Sequence, residues 1–420
     1  FTDIFGALKD VAVTSSQLRK ALDNKVMFDG SAIEGFVRIE ESDMYLYPDY
    51  DTFVIYPWRP QQGKVARLIC DVYTAEREPF EGSPRRVLKK VIDQAASMGY
   101  TFDVGPECEF FLFNTDDLGN PTTVTHEQAS YFDISPNDQG ENVRRDIILN
   151  LEDLGFEIEA SHHEMAPGQH EIDFKYVPAL RAADDIQTFK LTVRTIAKRH
   201  GYHATFMPKP VKGQCGSGMH VNMSLSDENG VNLFNDPEGL YGLSELAYHF
   251  MAGILKHIKG ITAIANPIVN SYKRLVPGFE APNFIAWSAK NRSPLFRIPS
   301  NREEHARIEL RSPDSTANPY LILALCLAAG LEGIREKMTP PPAVHNNLFN
   351  MTDEELIKAG VEALPVTLGD AIAELEKDQF LLDVLGTHLS RKYLAAKHEE
   401  WKQYCTEVTD WEIDRYLRNC

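Results

Sequence analysis

The run from Val104 to Phe113 is dense in β-formers and places Glu107 and Glu109 two residues apart. Side chains alternate along a strand, so both carboxylates face one side. Two like charges held that close call for a cation between them or for open solvent. A solvated strand face is the ordinary outcome for an isolated pair. Three further motifs tip the balance.

Glu164 and Glu171 flank the turn Pro167-Gly168, and a hairpin closing there brings both carboxylates to one end. From Gly216 to Leu225, period-two alternation puts His220, Asn222 and Ser224 on one face and Met219, Val221 and Met223 on the other. Taken alone, His220 reads as a structural histidine. Arg307, Glu309 and Arg311 share the face of another alternating segment. Together Glu107, Glu109, Glu164, Glu171 and Glu309 with one His form an oxygen-rich set suited to Mg²⁺ or Mn²⁺, unlike the Cys/His sites of structural zinc. So many carboxylates balance two ions, and paired ions suit phosphoryl transfer. Arg274, Arg292, Arg297, Arg307 and Arg311 crowd a short window beside Glu309. Guanidinium forks match carboxylates and phosphates, so the cluster reads as an anion site.

The rest of the chain is strongly acidic, with a net charge of -18, which argues against nucleic acid or anionic membrane as the main partner. The length of 420 residues with 43% hydrophobic content predicts a large core and two domains. Six scattered cysteines without a C-x-x-C pair fit a reducing cytoplasm. The most apolar stretch, Pro319 to Leu331, falls short of the ~20 residues a membrane helix needs and reads as a buried helix with an Asn-Pro start. The chain begins at Phe1 without Met, so residues are expected to precede it. No phosphate-binding G-x-x-x-x-G-K-[ST], strand-to-helix G-x-G-x-x-G or G-x-S-x-G elbow is present. If ATP binds, metals and arginines must hold its phosphates.

Residues 1 to 80 predict a small strand-led domain with segments at Met44 to Tyr47, Phe53 to Tyr56 and Val65 to Tyr73. Helices are predicted over 85–98, 141–154, 183–200 and 240–259. The C-terminal region reads as helical, with Leu381, Leu382, Leu385, Leu389 and Tyr393 as a packing stripe.

The motifs at Met27 to Gly35, Gly105 to Phe110, His162 to Ile172, Gly216 to His220, Asn270 to Gly278, Asn291 to Pro294 and Arg307 to Arg311 occur in one order. In that order they closely resemble bacterial type I glutamine synthetase of the α subtype, over nearly the whole chain. The resemblance implies an α+β fold: a β-grasp N-terminal domain over 1–80 and a catalytic domain over 81–420, with a curved antiparallel sheet flanked by helices. It implies ATP-dependent joining of glutamate and ammonium through γ-glutamyl phosphate. One metal site falls on Glu109, Glu164 and Glu171 and the other on Glu107, His220 and Glu309, each taking Mg²⁺ or Mn²⁺. Cys215, Gly216, Arg274, Glu280, Arg292 and Arg311 fall on glutamate-binding positions, and Glu159, Asn222, Ser224, Arg292, Arg297 and Arg307 on ATP positions. Asp29, Glu280 and Arg292 match catalytic positions, with Asp29 reaching a neighbouring subunit's ammonium and Glu280 closing over the intermediate. Arg38 matches a position of glutamine feedback. Phe349 stands where adenylylated relatives carry Tyr. The resemblance further implies a cytoplasmic homo-dodecamer of two stacked hexamers, with active sites between subunits, and regulatory protein partners. Ala32 and Cys215 depart from the Ser and Asn common at their positions. A ligase using another amine, a metal-free regulatory homologue and a two-metal phosphohydrolase are the rival readings; retention of Asp29 and of all six ligands favours the synthetase.

Overall fold

The computed structural model describes residues 1–37, 42–59, 63–279, 281–300, 305–418 and 420; Arg38 and Glu280 lie outside them. Near the N-terminus, β1 (Val26–Asp29), β2 (Asp43–Ile55) and β3 (Ala66–Tyr73) form an antiparallel sheet in the order β1-β2-β3. The two short segments expected at 44–47 and 53–56 are one strand. A register shift between Asp49 and Val54 bends β2 where turn residues sit, so the strand continues through a sequence that reads as a break. Phe36, Met44, Leu46, Val72 and Phe80 close a small core beneath it.

The main sheet is built on β4 (Thr101–Asn114), which pairs on one edge with β6 (Gln169–Phe174) and on the other with β9 (Met219–Ser226). Beyond β6 lies β5 (Ile158–His163), and β7 (Val177–Pro178) and β8 (Tyr202–Thr205) also pair with β4. Two-residue β10 (Phe284–Ile285) pairs elsewhere with β14 (Glu362–Ala363). On the far side of β9 follow β13 (Ile308–Leu310), β12 (Phe296–Arg297) and β11 (Trp287–Ser288). All main-sheet pairings are antiparallel except β11 with β12.

Helices cover the other face. The helix Pro319–Arg335 is apolar all round and buried along most of its length, with Asn318 capping it through a 3.1 Å bond from the Tyr320 N–H. It crosses the helix Glu245–Ala265 at glycines: a Cβ on Gly253 would lie 2.0 Å from the Ala329 carbonyl oxygen, so only glycine permits that approach. The helix predicted over 183–200 begins earlier, at Ala179, and ends at Arg199; the one predicted over 240–259 begins later, at Glu245, where the Ser244 side chain caps it, and packing carries it on to Ala265. The C-terminal stripe is split between helices Gln379–Leu385 and Thr387–Thr406, which part at Gly386 (φ 80°), and Leu382 lies at the edge of the core.

One side chain ties the small sheet to the helices. Arg85, 5% exposed at its side chain, reaches Asp49 of β2 at 2.7 Å, Asp71 of β3 at 2.8 Å and Asp184 at 2.9 Å. Tyr320 donates to the same Asp184 at 2.6 Å, and Lys89 to Asp71 at 2.6 Å. The guanidinium is held charged well above its ordinary range, because the three carboxylates outweigh its burial.

Candidate active site

The pairing registers explain how residues far apart in sequence share one face. His162 of β5 stands opposite Glu171 of β6, and Glu171 opposite Glu109 of β4. Glu107 stands between Asp173 of β6 and His220 of β9. Asn222, two residues on from His220, faces Glu309 of β13, and Glu309 faces Arg297 of β12. Alternation does the rest: Cys108, between the two glutamates, points into the core, where burial pushes its thiol up to about 12.

The row opens into a cavity of about 440 Å³ whose lining includes Glu107, Glu109, Glu164, Glu171, Asp173 and His220, opposed by Arg274, Arg292, Arg297 and Arg311. His220 Nδ1 lies 3.1 Å from Glu107, and its Nε2 lies 4.0 Å from Glu109. Asn222 donates to Glu107 at 2.9 Å and accepts from Arg307 at 2.9 Å. Glu164, in the turn after β5, is 3.4 Å from His162. Gln169 donates to Glu109 at 2.9 Å and to the Gly216 carbonyl at 3.1 Å, and the Gly218 N–H also meets Glu109 at 2.9 Å.

Charge is unbalanced here. Burial, then the neighbouring Glu109, pushes the Glu171 carboxyl well above its ordinary range; Glu109 is raised by burial and by Glu164. Asp173 is raised to about 8 by burial and by Glu107. Glu107 alone goes down, where His220 and Asn222 outweigh burial. Among the described residues, Asp173 Oδ1 and His162 Nδ1 are buried with no hydrogen-bond partner, although Glu164 comes within 3.4 Å of the imidazole nitrogen. Ligand atoms of Glu107, Glu171 and His220 lie within 4.8 Å of one another, as do those of His162, Glu164 and Glu171. Crowded, orphaned oxygens with one or two imidazoles fit divalent cations. A third cluster of this spacing, Asp138, His163 and His170, already holds a cation of the chain's own, since Arg144 meets Asp138 and His170 at 2.9 Å.

Other candidates take different places. Glu309 joins the row fully buried, with its oxygens bonded to Arg311 at 2.6 Å and Arg297 at 2.9 Å, and approaches His220 at 3.7 Å. Three of the five N–H groups of Arg274 meet the backbone carbonyls of Ser312, Pro313 and Arg311, which leaves two without a hydrogen-bond partner among the described residues. Cys215 and Gly216 line the cavity; Glu159 and Ser224 lie on β5 and β9 outside its lining. Asp29 sits exposed at the end of β1, outside this cavity's lining, with its carboxyl lowered by bonds from Ser31. Tyr131, His162, Met165, Gln169, Asp173 and Phe279 also line the cavity, and no residue-by-residue pattern in the sequence marks them for it. His162 and Gln169 sat inside a motif already noticed, and cross-strand register is the signal that selects them.

An acidic row facing an arginine rim defines a class: enzymes that handle anionic substrates with the help of divalent cations. Residues 1–75 match the family model of the glutamine synthetase β-grasp domain, and residues 81–416 that of the glutamine synthetase catalytic domain. The chain is 58% identical over 417 residues to glutamine synthetase of Clostridium saccharobutylicum, covering 99% of this chain and 94% of that protein. It is 56% identical over 419 residues to glutamine synthetase of Staphylococcus aureus, covering 100% and 94%. Among solved structures, a GmaS/ADP complex superposes with a TM-score of 0.91 at 34% identity, covering 100% of this chain and 95% of that one. The chain belongs to the glutamine synthetase family, and it is a ligase of that kind.

Proposed function

We propose that this enzyme condenses L-glutamate with ammonium in two steps. A γ-carboxylate oxygen of glutamate attacks the γ-phosphorus of ATP, ADP leaves, and γ-glutamyl phosphate forms. Ammonia then attacks the γ-carbonyl carbon, the bond to the phosphate oxygen breaks, and glutamine and phosphate are released. The observation that carries this reading is the unbalanced acidic row set against arginines in one cavity. Mg²⁺ or Mn²⁺ held there would supply positive charge to orient ATP phosphates and neutralise the transferring group.

The side chains divide the remaining work. Glu107, Glu109, Glu164, Glu171, His220 and Glu309 would hold the cations, with His162 at hand beside Glu164 and Glu171. Arg292, Arg297 and Arg307 offset developing phosphoryl charge. Glutamate lies against Arg274, Arg311 and the Cys215-Gly216 backbone, and the two uncommitted N–H groups of Arg274 suit a carboxylate. Glu159, Asn222 and Ser224 border the nucleotide. Asp29 is exposed and outside the lining of its own chain's cavity, which suits a carboxylate that deprotonates ammonium in a neighbouring copy. A homo-dodecamer with sites between subunits, regulatory proteins as further partners, a cytoplasmic location and a domain division near residue 80 complete the reading. Among the described residues, no helix is long and apolar enough to cross a membrane.

The test is phosphate release from Mg·ATP with glutamate and ammonium omitted in turn, glutamine being assayed directly. Release that requires both, with one glutamine per phosphate, is the expected result; release indifferent to ammonium points to a hydrolase, and turnover with an alkylamine in place of ammonium to a different ligase.

A further inference from the structure

Lys209 plays no part in the chemistry above, yet its side chain is packed beside the cavity-lining Cys215 and Phe279. The residue is 8% exposed, and the partners of its ammonium among the described residues are a carbonyl and an aromatic ring, not a carboxylate. Burial holds its pKa below the ordinary lysine value, so the charge is kept at a cost that its surroundings must offset. The ammonium donates to the carbonyl of Gln214 and sits 3.6 Å from the centre of the Phe279 ring. These partners belong to two different walls: Gln214 precedes Cys215 and Gly216, and Phe279 lies on the segment that leaves Arg274.

The backbone beneath is fixed as well. Asn270 accepts from the Lys209 N–H at 2.8 Å and donates to its carbonyl at 3.1 Å. The preceding carbonyl, of Pro208, accepts from the Ser217 N–H at 2.9 Å, and a Cβ on Gly216 would lie 2.1 Å from its oxygen. Only glycine at 216 allows that seat. The loop bearing Gly216 therefore rests on residues 208 and 209, and the Lys209 ammonium is what joins it to Phe279.

We propose that Lys209 is a positioning residue that latches segment 276–279 to the glutamate-side loop, so that the acyl phosphate meets ammonia and not water. This rests on the activity proposed above. When the latch is loose, water attacks the γ-carbonyl carbon, phosphate leaves, and glutamate is regenerated with no glutamine made.

The experiment uses the full, assembled enzyme with Mn²⁺ and compares wild type, Lys209→Met, Lys209→Arg, Phe279→Leu and the Lys209→Met/Phe279→Leu pair. Phosphate and glutamine are measured in one reaction at limiting ammonium. Lys209→Met is expected to raise the phosphate-to-glutamine ratio roughly tenfold, the effect of one desolvated cation–π contact. Phe279→Leu should do the same and the double variant no more, while Lys209→Arg, which keeps the cation, restores most of the coupling. An unchanged ratio in Phe279→Leu, or additive effects in the pair, would overturn the latch even if Lys209→Met failed to assemble. Hydrogen exchange of residues 276–279 needs no turnover: it should rise in Lys209→Met, and an unchanged rate sinks the latch independently. A wild type that makes no glutamine sinks the activity reading instead.

Discussion

Two parts of this molecule gather carboxylates at similar density and treat them in opposite ways. Around Arg85, three aspartates from β2, β3 and the helix Ala179–Arg199 meet a guanidinium and an ammonium of the same chain, and the Asp71 carboxyl ends up below its ordinary range as its bonds to Lys89 and Arg85 outweigh burial. Around Glu171, five carboxylates share a cavity in which Glu109, Glu171 and Asp173 are all driven upward. The first cluster is complete as folded; the second is completed by what binds. Unmatched charge, rather than acidity as such, separates a site from a structural ion cluster.

The largest effect belongs to the completed cluster. Arg85→Met removes the cation that three carboxylates share, leaving, among the described residues, Asp71 with Lys89 alone and Asp184 with the Tyr320 hydroxyl alone, and should cost about 3–5 kcal/mol in chemical unfolding; a loss below about 1 kcal/mol would break the contrast. Next comes Glu171→Gln, which should lower glutamine formation by about 10²–10³-fold, as loss of one preorganised electrostatic group does. In contrast to Arg85→Met, it should leave the thermal midpoint in chelator unchanged or raised, because it removes a repelled charge. A falling midpoint there would show that the row is balanced after all.

A third cluster sharpens the point through pH. His257 lies 2.6 Å from both Asp378 and Glu332, and although burial opposes its charge, those bonds raise its pKa. With the folded value raised, its stabilisation is complete below the unfolded value of about 6.5 and fades as pH rises through the folded one. His257→Gln should therefore cost about 1.5–3 kcal/mol near pH 6 and less in alkali. The carboxyls of Asp378 and Glu332 are lowered, so their own share is lost only in acid. Thermal midpoints across pH decide this, and a gap that widens upward refutes it. The smallest effect is Lys89→Met: its amine bonds Asp71 from a side chain 41% exposed, so unfolding should register only about 0.2–1 kcal/mol.

The sequence carried the site better than it carried the rest. Glu107 with Glu109, and His220 with Asn222, were legible because a strand preserves sidedness at every second residue, and the Pro167-Gly168 turn announced its hairpin. Asp173, Gln169 and Tyr131 were not, because their place depends on which strands and loops become neighbours. Arg85 is the clearest case: in the helix Pro84–Ser97 it looks like any first-turn arginine, and only partners up to 99 residues away give it meaning. The bend in β2 escaped for a related reason, since local turn signals were outvoted by pairing with β3.

Strand β4 writes two messages on one line. Its inward residues Cys108, Phe110 and Leu112 belong to the main core, while Glu107 and Glu109 face the cavity. Because the two sets alternate, catalysis can drift while the fold stands still: exchanging the outward letters leaves the inward ones in register. A descendant that abandons turnover for some other duty has no need to refold first.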